Sequence, residues 1–120
     1  MKALLFVFLG GGLGSIFRFL ISKSNLITSL PLGTFIANIL GSFLIGLILA
    51  SASKYSNINK EVTLFLATGF CGGFTTFSTF AYENYNFLKT GDYFQFILYT
   101  LGSFGLSLLA VTLGVFLIKN

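Results

Sequence analysis

Four hydroxyl side chains fall within five positions, Thr75, Thr76, Ser78 and Thr79, in a stretch that reads GFCGGFTTFSTF from Gly69 to Phe80. Phe77 and Phe80 are interleaved with them, three residues apart, so that both rings face one way on a helix. Hydroxyl groups donate hydrogen bonds, and a phenyl ring carries a negative face but a positive edge. Such a lining holds an anion weakly, without a fixed cation to trap it, which is what conduction requires. The stretch lies inside a long apolar segment running from near Val62 past Ala81. The pair Gly72-Gly73 in its middle costs a helix about 1 kcal/mol per glycine relative to alanine and suits a local break. Within a bilayer a break persists only where protein or a water-filled cavity satisfies the freed backbone groups. The expected element is a discontinuous membrane helix lining a site near the midplane. Its freed carbonyls, those of Gly72 and Thr75 above all, carry partial negative charge suited to a small cation where two copies meet on a two-fold axis.

Enzymatic chemistry finds few residues. The chain has no histidine, one cysteine (Cys71) and three acids, of which Glu61 and Asp92 fall at span ends. No paired carboxylate, Ser-His pair or Cys/His metal set is present in the sequence, so no catalytic residue is assigned. Cys71 reads as a small filler beside the glycines.

Several other residues are placed to serve the broken helix. Asn38 stands about six residues into an apolar span, where its amide needs partners. Tyr99, Ser103 and Ser107 recur at every fourth position and give one apolar helix a hydroxyl-bearing stripe. Arg18 lies about one turn from a span end, where it either snorkels to the headgroups or sets positive charge at the mouth of a polar cavity. Glu83 is the one acid within a span.

The elements that carry these residues are membrane helices. Hydrophobic residues make up 55% of the 120 and charged residues only 8%, far below the roughly 25% of soluble domains. Four spans are expected, approximately residues 3–21, 32–52, 61–87 and 93–118, forming a single integral membrane domain; each reaches the ~20 residues a bilayer requires. Gly10, Gly14 and Arg18 share a face of the first span, and Gly33, Ala37 and Gly41 form a small-residue stripe on the second, beside a polar one of Thr34, Asn38 and Ser42. Small residues at this spacing let helices approach closely. Short polar connections run from Ser22 to Pro31 and from Ser53 to Lys60, with a glycine turn at Thr90 to Asp92.

Seven bases and three acids give a net charge of +4. The bases are scattered singly at span ends, which fits lipid headgroups and not nucleic acid. Lys2, Lys54, Lys60 and Lys119 fall on one side of the bilayer, and Arg18, Lys23 and Lys89 on the other. Four against three is no clear positive-inside bias, so the chain is expected to insert both ways and pair as an antiparallel dimer. A bundle of this size also lacks the bulk to enclose a pore alone.

Taken together, GTFIANILGSFLIG (Gly33 to Gly46), GFCGGFTTFSTF and the spacing of Gly10, Gly11, Gly14 and Arg18 resemble the Fluc (CrcB-type) fluoride channel family, across all four spans in order. The resemblance implies an all-α, dual-topology homodimer in the cell (inner) membrane, with two antiparallel pores that pass fluoride passively and relieve its accumulation in the cytoplasm. It implies that Phe77 and Phe80 are the paired pore phenylalanines and Asn38 the pore asparagine. Ser78 and Thr79 match polar positions between the rings, and Tyr99, Ser103 and Ser107 match a polar line on the fourth helix. Gly72 and Thr75 match positions whose backbone carbonyls, from both subunits, hold a central structural sodium ion. Arg18 matches a vestibule arginine and Glu83 an acidic residue just after the motif.

The competing expectation is a small dual-topology, proton-coupled multidrug exporter. That mechanism needs a membrane-embedded carboxylate to exchange protons for a cation. The first span has none, and tryptophan, the best aromatic for a cation cage, is absent.

Overall fold

The computed structural model describes residues 1–23 and 30–120. Residues 24–29, and with them most of the expected connection from Ser22 to Pro31, lie outside the described part. The described residues form helices and short turns, with no strand among them. Among the described residues, four helical segments are long and apolar enough to cross a membrane: Lys2–Lys23, Leu32–Lys54, Lys60–Lys89 and Tyr93–Lys119.

Local chemistry sets where each begins and ends. Pro31, with its fixed φ, precedes the second helix, and its carbonyl accepts from the Phe35 amide. The third span starts at Asn59, whose side chain caps the helix by accepting from the Glu61 amide. That span closes in a Schellman turn: the Asp92 amide donates to the Phe87 carbonyl and the Gly91 amide to that of Leu88. Gly91 takes a φ of +77°, a conformation that glycine alone adopts without cost.

The third span is the irregular one. After one α-helical turn (Lys60–Thr63) the chain widens into a π-helix over Leu64–Cys71, returns to α over Gly72–Phe74, breaks, and resumes at Ser78–Lys89. The break therefore falls at Thr75–Phe77, three residues beyond where the glycine pair was expected to place it. Gly72 and Gly73 both remain helical. Gly73 serves packing instead, since a Cβ there would collide with the Gly11 carbonyl of the first helix. Gly10 and Gly14 do the same from the other side, their faces lying directly on the Phe65 and Phe70 carbonyls. The glycines thus bring the first helix to backbone contact with the first half of the third span.

The second and fourth helices form the other packed pair, and the Lys54 ammonium at the end of one donates to the Ile118 carbonyl near the end of the other. Those two helix ends therefore share a side. The bundle measures 51 × 33 × 20 Å. Its thin dimension is about two helix diameters, so one copy makes a slab. Large apolar side chains cover its outside, as the hydrocarbon of a bilayer demands.

Candidate functional site

The break is built from side chains that replace the missing helical bonds. Thr75 is extended (φ −92°, ψ 158°), yet its amide and its hydroxyl both return to the Cys71 carbonyl, at 3.0 and 2.8 Å. Its methyl group packs directly on Gly41, where no side chain stands in the way. A continuing helix would aim the Thr76 amide at the Gly72 carbonyl. Instead that amide donates to Asn38 Oδ1 at 2.8 Å, and Asn38 Nδ2 donates to the Thr76 carbonyl at 3.2 Å. The Thr76 hydroxyl accepts from the Thr79 amide at 3.2 Å, capping the second half-helix, and lies 3.4 Å from the Ser78 hydroxyl.

Arg18 meets the break from the first helix. Its Nε donates to the Gly73 carbonyl at 3.1 Å, with the Ser15 hydroxyl at 3.5 Å from the same oxygen. At least one arm of this guanidinium is therefore tied to the end of a half-helix, where the dipole favours a cation.

The two motif rings lie 5.8 Å apart between centroids at an interplanar angle of 47°. Phe77 is 77% exposed in the single chain, whereas Phe80 turns inward against Tyr99, 5.0 Å away. Phe87 meets the Tyr99 ring nearly edge-on, at 6.0 Å and 78°. Tyr99 is buried, and its hydroxyl donates to Glu83 Oε1 at 2.7 Å. Thr34 donates to Glu83 Oε2 at 2.8 Å. Each carboxylate oxygen thus accepts one hydroxyl, and Glu83 joins the second, third and fourth spans. Directly beside it, buried Asn84 accepts from the Thr100 hydroxyl at 3.2 Å.

A cavity of about 670 Å³ opens beside the break. It gathers Asn38, Gly72, Thr75, Phe77, Phe80, Ser103 and Ser107 from three spans. Ser103 is 5% exposed and its hydroxyl has no hydrogen-bond partner among the described residues. Five of the residues singled out in the sequence are not in this wall: Arg18, Ser78 and Thr79 border the break, while Tyr99 packs on Phe80 and holds Glu83. The lining is mostly apolar, with donors at a few points, as small-ligand sites commonly are.

Thr76, Thr100 and Asn84 carry contacts that sequence reading did not assign. In the sequence Thr76 is only one of four hydroxyls, and what distinguishes it is a partner 38 positions away. Thr34 had a signal, since it stands one turn before Asn38 on the polar stripe. The π-helix had none, because LFLATGFC reads as an ordinary apolar helix.

The family model described as CrcB-like protein, Camphor Resistance (CrcB), matches residues 5–115. A protein of Gloeothece citriformis is 49% identical, the match covering 100% of this chain and 99% of the relative. One of Phocaeicola vulgatus is 47% identical over 98% of each, and one of Leptospira interrogans 44% over 99% and 96%. All three carry the name fluoride-specific ion channel FluC. With a matched region that runs through all four spans and includes the broken helix, the chain belongs to the CrcB-like family of membrane proteins.

Proposed function

We propose that this chain is a fluoride-selective ion channel, a multi-pass membrane protein that lets fluoride leave the cytoplasm passively and so lowers its toxicity. The observation that carries the reading is the wall beside the break, where the Phe77–Phe80 pair, an asparagine and uncommitted serine hydroxyls face one cavity in a chain whose relatives bear that channel name. Fluoride is small and strongly hydrated. A path for it must offer replacements for water at each step, and ring edges with hydroxyl and amide donors are such replacements. Ser103 fits this task best, because its buried hydroxyl has a proton to give. Asn38 has one amide proton left after its contact with the Thr76 carbonyl.

A second identical copy, antiparallel to the first, completes the pore in this reading. Support comes from the slab shape, from Phe77 left open on one side, and from bases divided four to three between the two faces. Two copies give two pores, and lipid surrounds the remainder. A structural sodium ion at the centre of the dimer also belongs to the reading. The Gly72 carbonyl fits it, since the amide that would ordinarily occupy that oxygen is turned to Asn38 and Gly72 lies at the surface of the single chain. Gly72 and Thr75 would hold the ion by backbone carbonyls, hard oxygen ligands suited to such a cation. Bound there, it supplies charge that ties the two broken helices together. Proton-coupled export of organic cations has no comparable support, as the one intramembrane carboxylate is held by two hydroxyls.

The test is anion efflux from liposomes loaded with fluoride or chloride and carrying the purified protein. Rapid loss of fluoride with chloride retained is expected. Retention of both anions by protein shown to be dimeric would overturn the channel reading.

A further inference from the structure

Phenylalanine is a poor residue for the position just before a helix, because it has no side-chain acceptor for the first amides. Phe77, at the start of the second half-helix, has helical dihedrals (φ −91°, ψ −36°) and makes no capping bond of its own. Placing it there is what leaves its ring on the cavity wall and near Phe80. The capping task falls to the residue before it. Thr76 accepts from the Thr79 amide with its hydroxyl, while its amide and carbonyl are both held by Asn38. Phe77 is therefore clamped between a backbone fixed on one side and a capped helix start on the other. A β-branched side chain suits this work because its χ1 is restricted, so that the hydroxyl loses little freedom when it caps.

We propose that Thr76 is a positioning residue for the Phe77–Phe80 ring pair, acting through its hydroxyl as the N-terminal cap of the second half-helix. The proposal rests on the channel reading for its functional consequence, and its structural core can be tested apart from it. Thr76→Val keeps the shape and removes the acceptor; Thr76→Ser keeps the acceptor.

The experiment compares fluoride efflux from liposomes for the wild type and both variants, alongside amide exchange followed residue by residue by NMR in detergent micelles. In the wild type, the Thr79 amide should exchange more slowly than that of its neighbour Ser78, a comparison that needs no variant to fold. In Thr76→Val, Thr79 exchange should rise and fluoride efflux should fall, each by roughly tenfold, the range spanned by loss of one helix cap. Thr76→Ser should restore both to within about threefold. Equal exchange at Thr79 and Ser78 in the wild type overturns the proposal, as does unchanged Thr79 exchange in Thr76→Val. Equal loss of efflux in Val and Ser variants also overturns it, because the hydroxyl would then not be what matters. If the wild type itself passes no fluoride, the channel reading fails while the exchange comparison still decides the role of Thr76.

Discussion

Asn38 and Thr76 pair through two antiparallel hydrogen bonds, amide to carbonyl in both directions, as two backbone segments do in a sheet. A side chain on the second span thereby takes the place of helical bonds that the third span gives up. Asn38→Asp keeps the acceptor for the Thr76 amide and sets a carboxylate oxygen against the Thr76 carbonyl. A buried acceptor without its donor costs about 1–3 kcal/mol. The variant should lose thermal stability by that order, read as the aggregation midpoint of the detergent-solubilised protein, with fluoride efflux reduced alongside it.

Phe77→Ile and Phe80→Ile should each sharply reduce fluoride efflux. The aliphatic side chain fills similar space but offers no positive ring edge. Phe80 also packs on Tyr99 at 5.0 Å, so its variant should additionally lose some stability, whereas the largely exposed Phe77 should not. Efflux and thermal aggregation measured on the same preparations separate the two effects. Wild-type efflux in both variants would remove the rings from the permeation path.

Glu83 and Tyr99 should be energetically coupled. Tyr99→Phe removes the hydroxyl that donates to Oε1, and Glu83→Gln removes the charge that makes this bond strong. A double-mutant cycle on thermal or denaturant stability should show the combined loss smaller than the sum of the single losses, by ~1 kcal/mol or more. Strict additivity would mean that the contact contributes nothing to the fold.

Gly14→Ala and Gly12→Ala make an internal control within one helix. A Cβ on Gly14 would collide with the Phe70 carbonyl, which is backbone and has little room to yield, while a Cβ on Gly12 meets nothing within 4 Å. Gly14→Ala should cost about 1–3 kcal/mol, the usual range for overpacking, and separate the first helix from the third span. Gly12→Ala should be neutral or slightly stabilising, since alanine favours a helix over glycine by about 1 kcal/mol. Relative yield of monodisperse protein and its thermal stability read the difference.

Composition and periodicity determined the environment of this chain. With 8% charged residues and four apolar runs of bilayer length, no other solvent satisfies the side chains, and backbone bonding inside lipid then dictates helices. The same rule made the hydroxyl-rich stretch after Gly72 stand out, because a break in such a place needs partners. The sequence likewise carried the polar stripe of Thr34 and Asn38 and the close-packing face of Gly10 and Gly14. All of these depend on neighbours within one helix, where spacing along the chain is spacing in space.

Which residue breaks, and what each hydroxyl does, depended on partners from other helices. Glycine flexibility pointed to Gly72 and Gly73, yet both stay helical because the first helix needs Gly73 for contact and Asn38 draws the Thr76 amide away one turn later. Arg18 is attached to a carbonyl 55 positions along the chain, and Glu83 to hydroxyls from two other spans. A side chain on an apolar helix selects its partner from whatever polar group packing brings within about 3 Å. That choice is made only when the helices meet.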